Sequence, residues 1–90
     1  MEQITTEVVA EKITAFLQHE LSINDLVDWA ERAMLDGEFA DEHYETIRDI
    51  VSRLGIADVK AFGLTWEDCE QLLSQLGYTI RIEVIAQQHS

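Results

Sequence analysis

The chain has no proline, one cysteine, four glycines and only six lysines and arginines among its 90 residues. Each shortage excludes something. With a single thiol, Cys69, no internal disulfide can form, and the simplest compartment is a reducing cytosol. Without proline, the breaks between elements fall to the glycines, each of which stands where a helix would end or a turn would form. No apolar run approaches the roughly 18 residues of a membrane span. The start, MEQITTEVVAEK, has no basic region followed by a continuous apolar stretch, so no secretory signal is expected. The scarcity of bases excludes most. Eighteen acids against six bases leave a formal net charge of −12. Affinity for nucleic acid normally comes from Lys and Arg on phosphates, so DNA, RNA and anionic membranes are not expected as partners. A basic protein would be steered towards such a surface, although the same charge also serves solubility.

What is present suits one small helical domain, 1–90, with residues 1–5 and 87–90 expected to fray. A hydrophobic fraction of 47% is normal for a globular core and argues against disorder. A chain this short buries only about 60–65% of its unfolded surface, so association would help it.

Apolar residues at helical spacing predict the elements. The first helix runs from about Thr6 to His19 on Val9, Ile13, Phe16 and Leu17. The second follows Ser22, an N-cap with Asp25 three residues on. Its stripe is Ile23, Leu26, Val27, Ala30, Ala33 and Met34, Asp28 and Arg32 form a favourable pair, and Gly37 is read as the closing residue at positive φ. The third runs from Asp41 or Glu42 to Leu54 on Tyr44, Ile47, Ile50, Val51 and Leu54, repeats the acid–base spacing at Asp49 and Arg53, and is closed by Gly55. A short helical turn at 57–62 follows, with Val59 and Phe62 as a cap on the core. The last long helix starts at Thr65, carries Asp68 at its third position, buries Trp66, Cys69, Leu72, Leu73 and Leu76, and ends at Gly77.

Residues 77–85, GYTIRIEVI, break this pattern. Tyr78, Ile80, Ile82 and Val84 alternate with Thr79, Arg81 and Glu83, the period of a strand with one covered face. Residues 3–9, QITTEVV, are the only other segment enriched in β-branched residues. Residues 78–85 therefore pair with that segment, with their copy in a second chain as an isologous dimer, or with another protein by strand addition, or they lie over the helices as an extended tail with no ladder. Pairing between copies is the favoured reading, because a lone two-stranded ribbon is marginal and an exposed apolar edge invites aggregation.

Candidate chemistry is sparse. The segment 36–49 offers Asp36, Glu38, Asp41, Glu42, His43, Glu45 and Asp49, but no recognised metal-ligand spacing. His19 and Glu20 match half of a zinc-protease pattern whose second histidine position is Ile23. Cys69 sits on an apolar helix face in the second turn, which favours burial over a reactive thiolate. No nucleophile elbow, phosphate loop or dinucleotide motif occurs. No catalytic residue, metal ligand or cofactor site is assigned, and the chain is expected not to be an enzyme. Trp29, at the margin of its stripe, is read as either an interface anchor or a core aromatic.

The expected fold is mainly α: a four-helix (three long, one short) orthogonal or antiparallel bundle with a single C-terminal strand paired across a dimer. The expected function is a non-enzymatic, acidic, cytoplasmic protein-interaction module that homodimerises through Tyr78, Ile80, Ile82 and Val84, with Trp29 as a further contact, and binds a protein partner. In size, charge and class the chain resembles small acidic helical bacterial proteins, among them immunity proteins and antitoxins that neutralise a basic toxin. That resemblance implies a basic partner and rests on no motif. A small metal-binding protein built on the 36–49 acids is the second alternative.

Overall fold

The computed structural model describes residues 3–59 and 63–80. Within them the chain is mainly helical, with a small two-strand sheet, in the order β1 (Gln3–Ile4), α1 (Thr6–Leu17), α2 (Ile23–Asp36), β2 (Glu38–Phe39), α3 (Tyr44–Leu54) and α4 (Trp66–Gln75). Three of these helices begin with the same local device. An extended Ser or Thr precedes α1, α2 and α4, and its hydroxyl accepts a first-turn N–H: Thr5 from Val8, Ser22 from Asp25 and Thr65 from Asp68, each at 3.1 Å. The residue before each cap is apolar, and so is the fourth helical residue. Those pairs are Ile4 with Val9, Leu21 with Leu26, and Leu64 with Cys69, the positions of a hydrophobic staple. All six belong to the core cluster or pack against it. At α4 the cap is reciprocal, because Asp68 Oδ2 accepts the Thr65 N–H at 3.0 Å.

The start of α3 differs. His43 stands at the cap position in the left-handed region, φ 63°, and makes no side-chain cap bond. The helix therefore begins at Tyr44, later than Asp41 or Glu42. Tyr44 is 45% exposed rather than buried, and its ring meets Phe39 edge-on at 5.9 Å.

The sheet adds two strands that the expected fold, with its single C-terminal strand, does not include; residues 81–85 of that expected strand lie outside the described residues. β1 and β2 run parallel, with Gln3 opposite Glu38 and Ile4 opposite Phe39, and the Ala40 N–H donates to the Ile4 carbonyl at 3.0 Å. The expected fraying of 1–5 does not hold at Ile4, which is 1% exposed, because its side chain sits in the core and its backbone is laddered. Gly37 is also corrected. Its φ is −71° and its ψ 150°, an extended residue that leads straight into β2. A Cβ there would stand 2.4 Å from the Ala33 carbonyl oxygen, so the glycine answers to a close backbone approach.

Two helices end in the same motif. After α4, Gly77 takes φ 94°, its N–H donates to the Ser74 carbonyl at 3.0 Å, and the Tyr78 N–H reaches back to Leu73 at 2.9 Å. This is a Schellman ending. After α1 the same bonds run from His19 to Phe16 at 3.1 Å and from Glu20 to Ala15 at 2.9 Å, but the left-handed residue, φ 63°, is His19. A side chain in that region costs about 1–2 kcal/mol, against about 0.5–1 kcal/mol of extra chain entropy for glycine. His19→Gly is therefore expected to stabilise the protein by about 0.5–1 kcal/mol, read as a higher urea midpoint at unchanged slope. An unchanged or lower midpoint would contradict this account of the turn.

The core draws on α1, α2, α3 and α4, with α2 and α3 packed most extensively on one another and α1 touching α2, α3 and α4. Ile13, Leu26, Ile47, Val51 and Leu54 are fully enclosed. Met34, expected in the buried stripe, is 36% exposed, and Val59, expected to cap the core, is 47% exposed. The 53–59 segment forms successive tight turns (Ala57 N–H to Leu54, Val59 N–H to Ile56) that carry the Val59 side chain outward. Phe62 lies outside the described residues. The two acid–base pairs do other work. Arg32 Nε donates to the backbone carbonyl of Asp28 at 3.4 Å, and Arg53 donates to the Gly63 carbonyl at 3.0 Å while its guanidinium stands 3.6 Å from Asp68.

Candidate interaction surface

The segment proposed from sequence as a strand begins where α4 is closed. The Tyr78 N–H is used by the Schellman bond to Leu73, and residues 78–80 carry no regular secondary structure. Tyr78 is 40% exposed, whereas Ile80 is half-buried and packs against the core cluster. Ile82 and Val84, with the rest of 81–90, lie outside the described residues.

The two tryptophans differ in burial. Trp29, weighed as an interface anchor against a core aromatic, is 9% exposed and belongs to the core, with the Lys12 ammonium 5.6 Å from the ring centroid. Its three-residue step from Leu26 and four-residue step to Ala33 put it inside the α2 stripe. Trp66, read as part of the buried face of its helix, is 44% exposed. It is the first residue of α4, a turn short of the neighbours that cover Cys69, and its ring stands at the edge of an apolar groove.

That groove is an open depression of about 700 Å³ between the end of α1, the turn into α2 and the approach to α4, lined by Phe16, Leu17, Leu21, Ile23, Leu64 and Trp66 among others. A second depression shares Leu17 and Trp66 and continues over Leu73, Tyr78 and Ile80. A third shares Thr14, Gln18 and Tyr78 with the second and runs along α1 past Glu7, Glu11 and Glu20. Three local features fix this surface: the left-handed turn at His19, the Ser22 cap, and the capping box of α4. Arg53 holds the last of these from α3 through Gly63 and Asp68. The Asp68 carboxyl is lowered from its ordinary 3.8, chiefly by the Thr65 N–H it accepts. Desolvation opposes this, and the Thr65 side chain and Arg53 add to the lowering.

The acids of 36–49 do not converge. Glu42 and His43 stand 3.7 Å apart on the surface, and among the described residues no group of three or more His, Cys, Asp or Glu is placed to hold a metal ion. His19 occupies a turn rather than a helix face, and His89 lies outside the described residues. Cys69 is fully buried, and burial, with the Asp68 charge beside it, pushes its thiol up to about 11 while Arg53 opposes the shift. A buried thiol held protonated in this way packs as a small apolar side chain. Among the described residues no helix is long and apolar enough to cross a membrane. Comparison of the chain with protein-family models, with curated proteins and with solved structures gave no match in any of the three.

Proposed function

We propose that the protein is a non-enzymatic, acidic interaction module of the cytoplasm, a helical bundle that pairs with a second copy through residues 78–85 and binds a protein partner. The observation that carries this reading is the alternation of Tyr78, Ile80, Ile82 and Val84 directly after a helix closed by a left-handed glycine. The closure turns the chain out of α4, and the alternation then suits a strand with one covered face. Two features support it. Tyr78 and Ile80 border apolar surface at Leu17 and Trp66, and a chain this small gains stability from association. Among the described residues the two-strand sheet pairs β1 with β2.

Light scattering tests the self-association. Wild type is expected at the mass of a dimer and Ile82→Pro at that of a monomer, because proline removes a ladder donor. A wild type that stays monomeric at high concentration removes the dimer. The net charge of −12 favours one version of the partner role, a neutraliser of a basic toxin.

A further inference from the structure

We infer that the groove between the end of α1 and the start of α4 docks a basic amphipathic segment of another protein. The partner's apolar side chains would seat against Leu17, Leu21, Leu64 and Trp66, and its lysines and arginines would reach Glu7, Glu11 and Glu20. The inference rests on the reading that the chain is an interaction module, but it does not need residues 78–85 to pair.

Continuity and charge together carry it. The groove meets the acidic stretch through the depression between them, which shares Leu17 and Trp66 with the groove and Thr14, Gln18 and Tyr78 with the stretch that carries Glu7, Glu11 and Glu20. Among the described residues no lysine or arginine lines any part of it. Elsewhere, Lys12 stands against Trp29 and Arg32 bonds within α2. Glu7 and Glu11 lie at i,i+4 on α1, a like-charge pair that costs the helix a few tenths of a kcal/mol and that a bound cation relieves. Trp66 supplies a large half-exposed ring at the rim, the residue type that most often anchors an interface. An apolar groove flanked by a line of acids is complementary to a helix with leucines on one face and bases beside them.

The probe is a synthetic peptide of about 18 residues with leucine on one helical face and lysine on the other, titrated into the ¹⁵N-labelled full chain. The indole N–H signal of Trp66 is expected to move and that of Trp29 to stay. Affinity should fall about tenfold for Trp66→Ala. It should also fall about tenfold for the triple change Glu7→Gln, Glu11→Gln, Glu20→Gln, and by less than about twofold for Glu42→Gln, Glu45→Gln, Asp49→Gln, which alters the net charge equally. Equal weakening by the two triple variants means attraction to bulk charge and overturns the site, as does an unmoved Trp66 signal. Loss of dimer mass in Trp66→Ala assigns the face to a second copy. Binding about tenfold tighter when Ile82→Asp and Val84→Asp are combined assigns it to the chain's own C-terminal residues. Either result overturns the partner. A monomeric wild type with normal peptide binding rejects only the dimer, and a dimer that ignores the peptide rejects only this inference.

Discussion

Ile4→Ala is expected to lower the unfolding free energy by about 2–5 kcal/mol, the range for removing a fully buried aliphatic side chain. The side chain is 1% exposed, and three contributions meet there. The side chain belongs to the core cluster that also holds Val9 and Ile13. Its position before the Thr5 cap, with Val9 at the fourth helical residue, makes it half of the staple that sets how the chain enters α1. Its backbone holds β2 through the Ala40 N–H and the parallel register with Phe39. For a chain of this length the total stability is on the order of 5–13 kcal/mol, so one substitution near the N-terminus should remove at least about a sixth of it. In a thermal melt followed by circular dichroism, the midpoint should fall by about 10 °C or more. Gln3→Ala, one residue earlier and exposed, should stay within about 0.5 kcal/mol of wild type. Equal, small effects at both positions would mean that residues 3–5 fray and that β1 contributes nothing.

The same residue shows what can be read from sequence and what cannot. The helices are legible because two signals coincide at most of them: an apolar stripe, and a Ser or Thr cap, with an acid three residues on at Ser22 and Thr65. Ile4 offers only one apolar residue to a periodicity argument, and a two-residue strand has no period to detect, so β1 and β2 escape it. A signal is nonetheless present, since the order apolar residue, threonine, three residues, valine matches the staple found again at Leu21 and Leu64. Gly37 misleads because a helix-closing glycine looks the same in sequence whether it turns left-handed or runs extended. The backbone angles of Gly37, φ −71° and ψ 150°, separate the cases. Trp66 misleads for a related reason. Spacing gives the angle of a side chain round its helix, but not whether another element reaches far enough to cover it, and at Trp66 none of the described elements does so fully. The groove itself joins residues near position 17 to residues near position 66, and no local pattern reports such an approach.

Raising the pH from 8 to 11 should cost the wild-type protein on the order of 2 kcal/mol of stability through one group, Cys69. Its thiol titrates at about 11 in the folded chain against an ordinary value of 9.0, and the side chain is fully buried. The folded value is the higher one, so between those two pH values the unfolded chain has released a proton that the folded chain still holds. Ionisation then pulls the equilibrium towards the unfolded state. The contribution is complete below pH 9, is lost as pH rises towards 11, and falls by about 1.4 kcal/mol for each pH unit climbed between the unfolded and folded values. Tyrosine and lysine also titrate in this range, so the measurement is a difference: urea unfolding of wild type and Cys69→Ala at half-unit steps of pH. At pH 7–8 the variant should be less stable by about 1 kcal/mol, for the lost packing of a small buried side chain. That gap should close with rising pH and change sign near pH 10. Thiol labelling at pH 8 supplies an independent check, because native Cys69 should react only as fast as the chain opens. A gap that stays constant to pH 11, or labelling at the rate of a free thiol, would show that Cys69 is open to solvent and that the packing of α4 against α1 is looser than described.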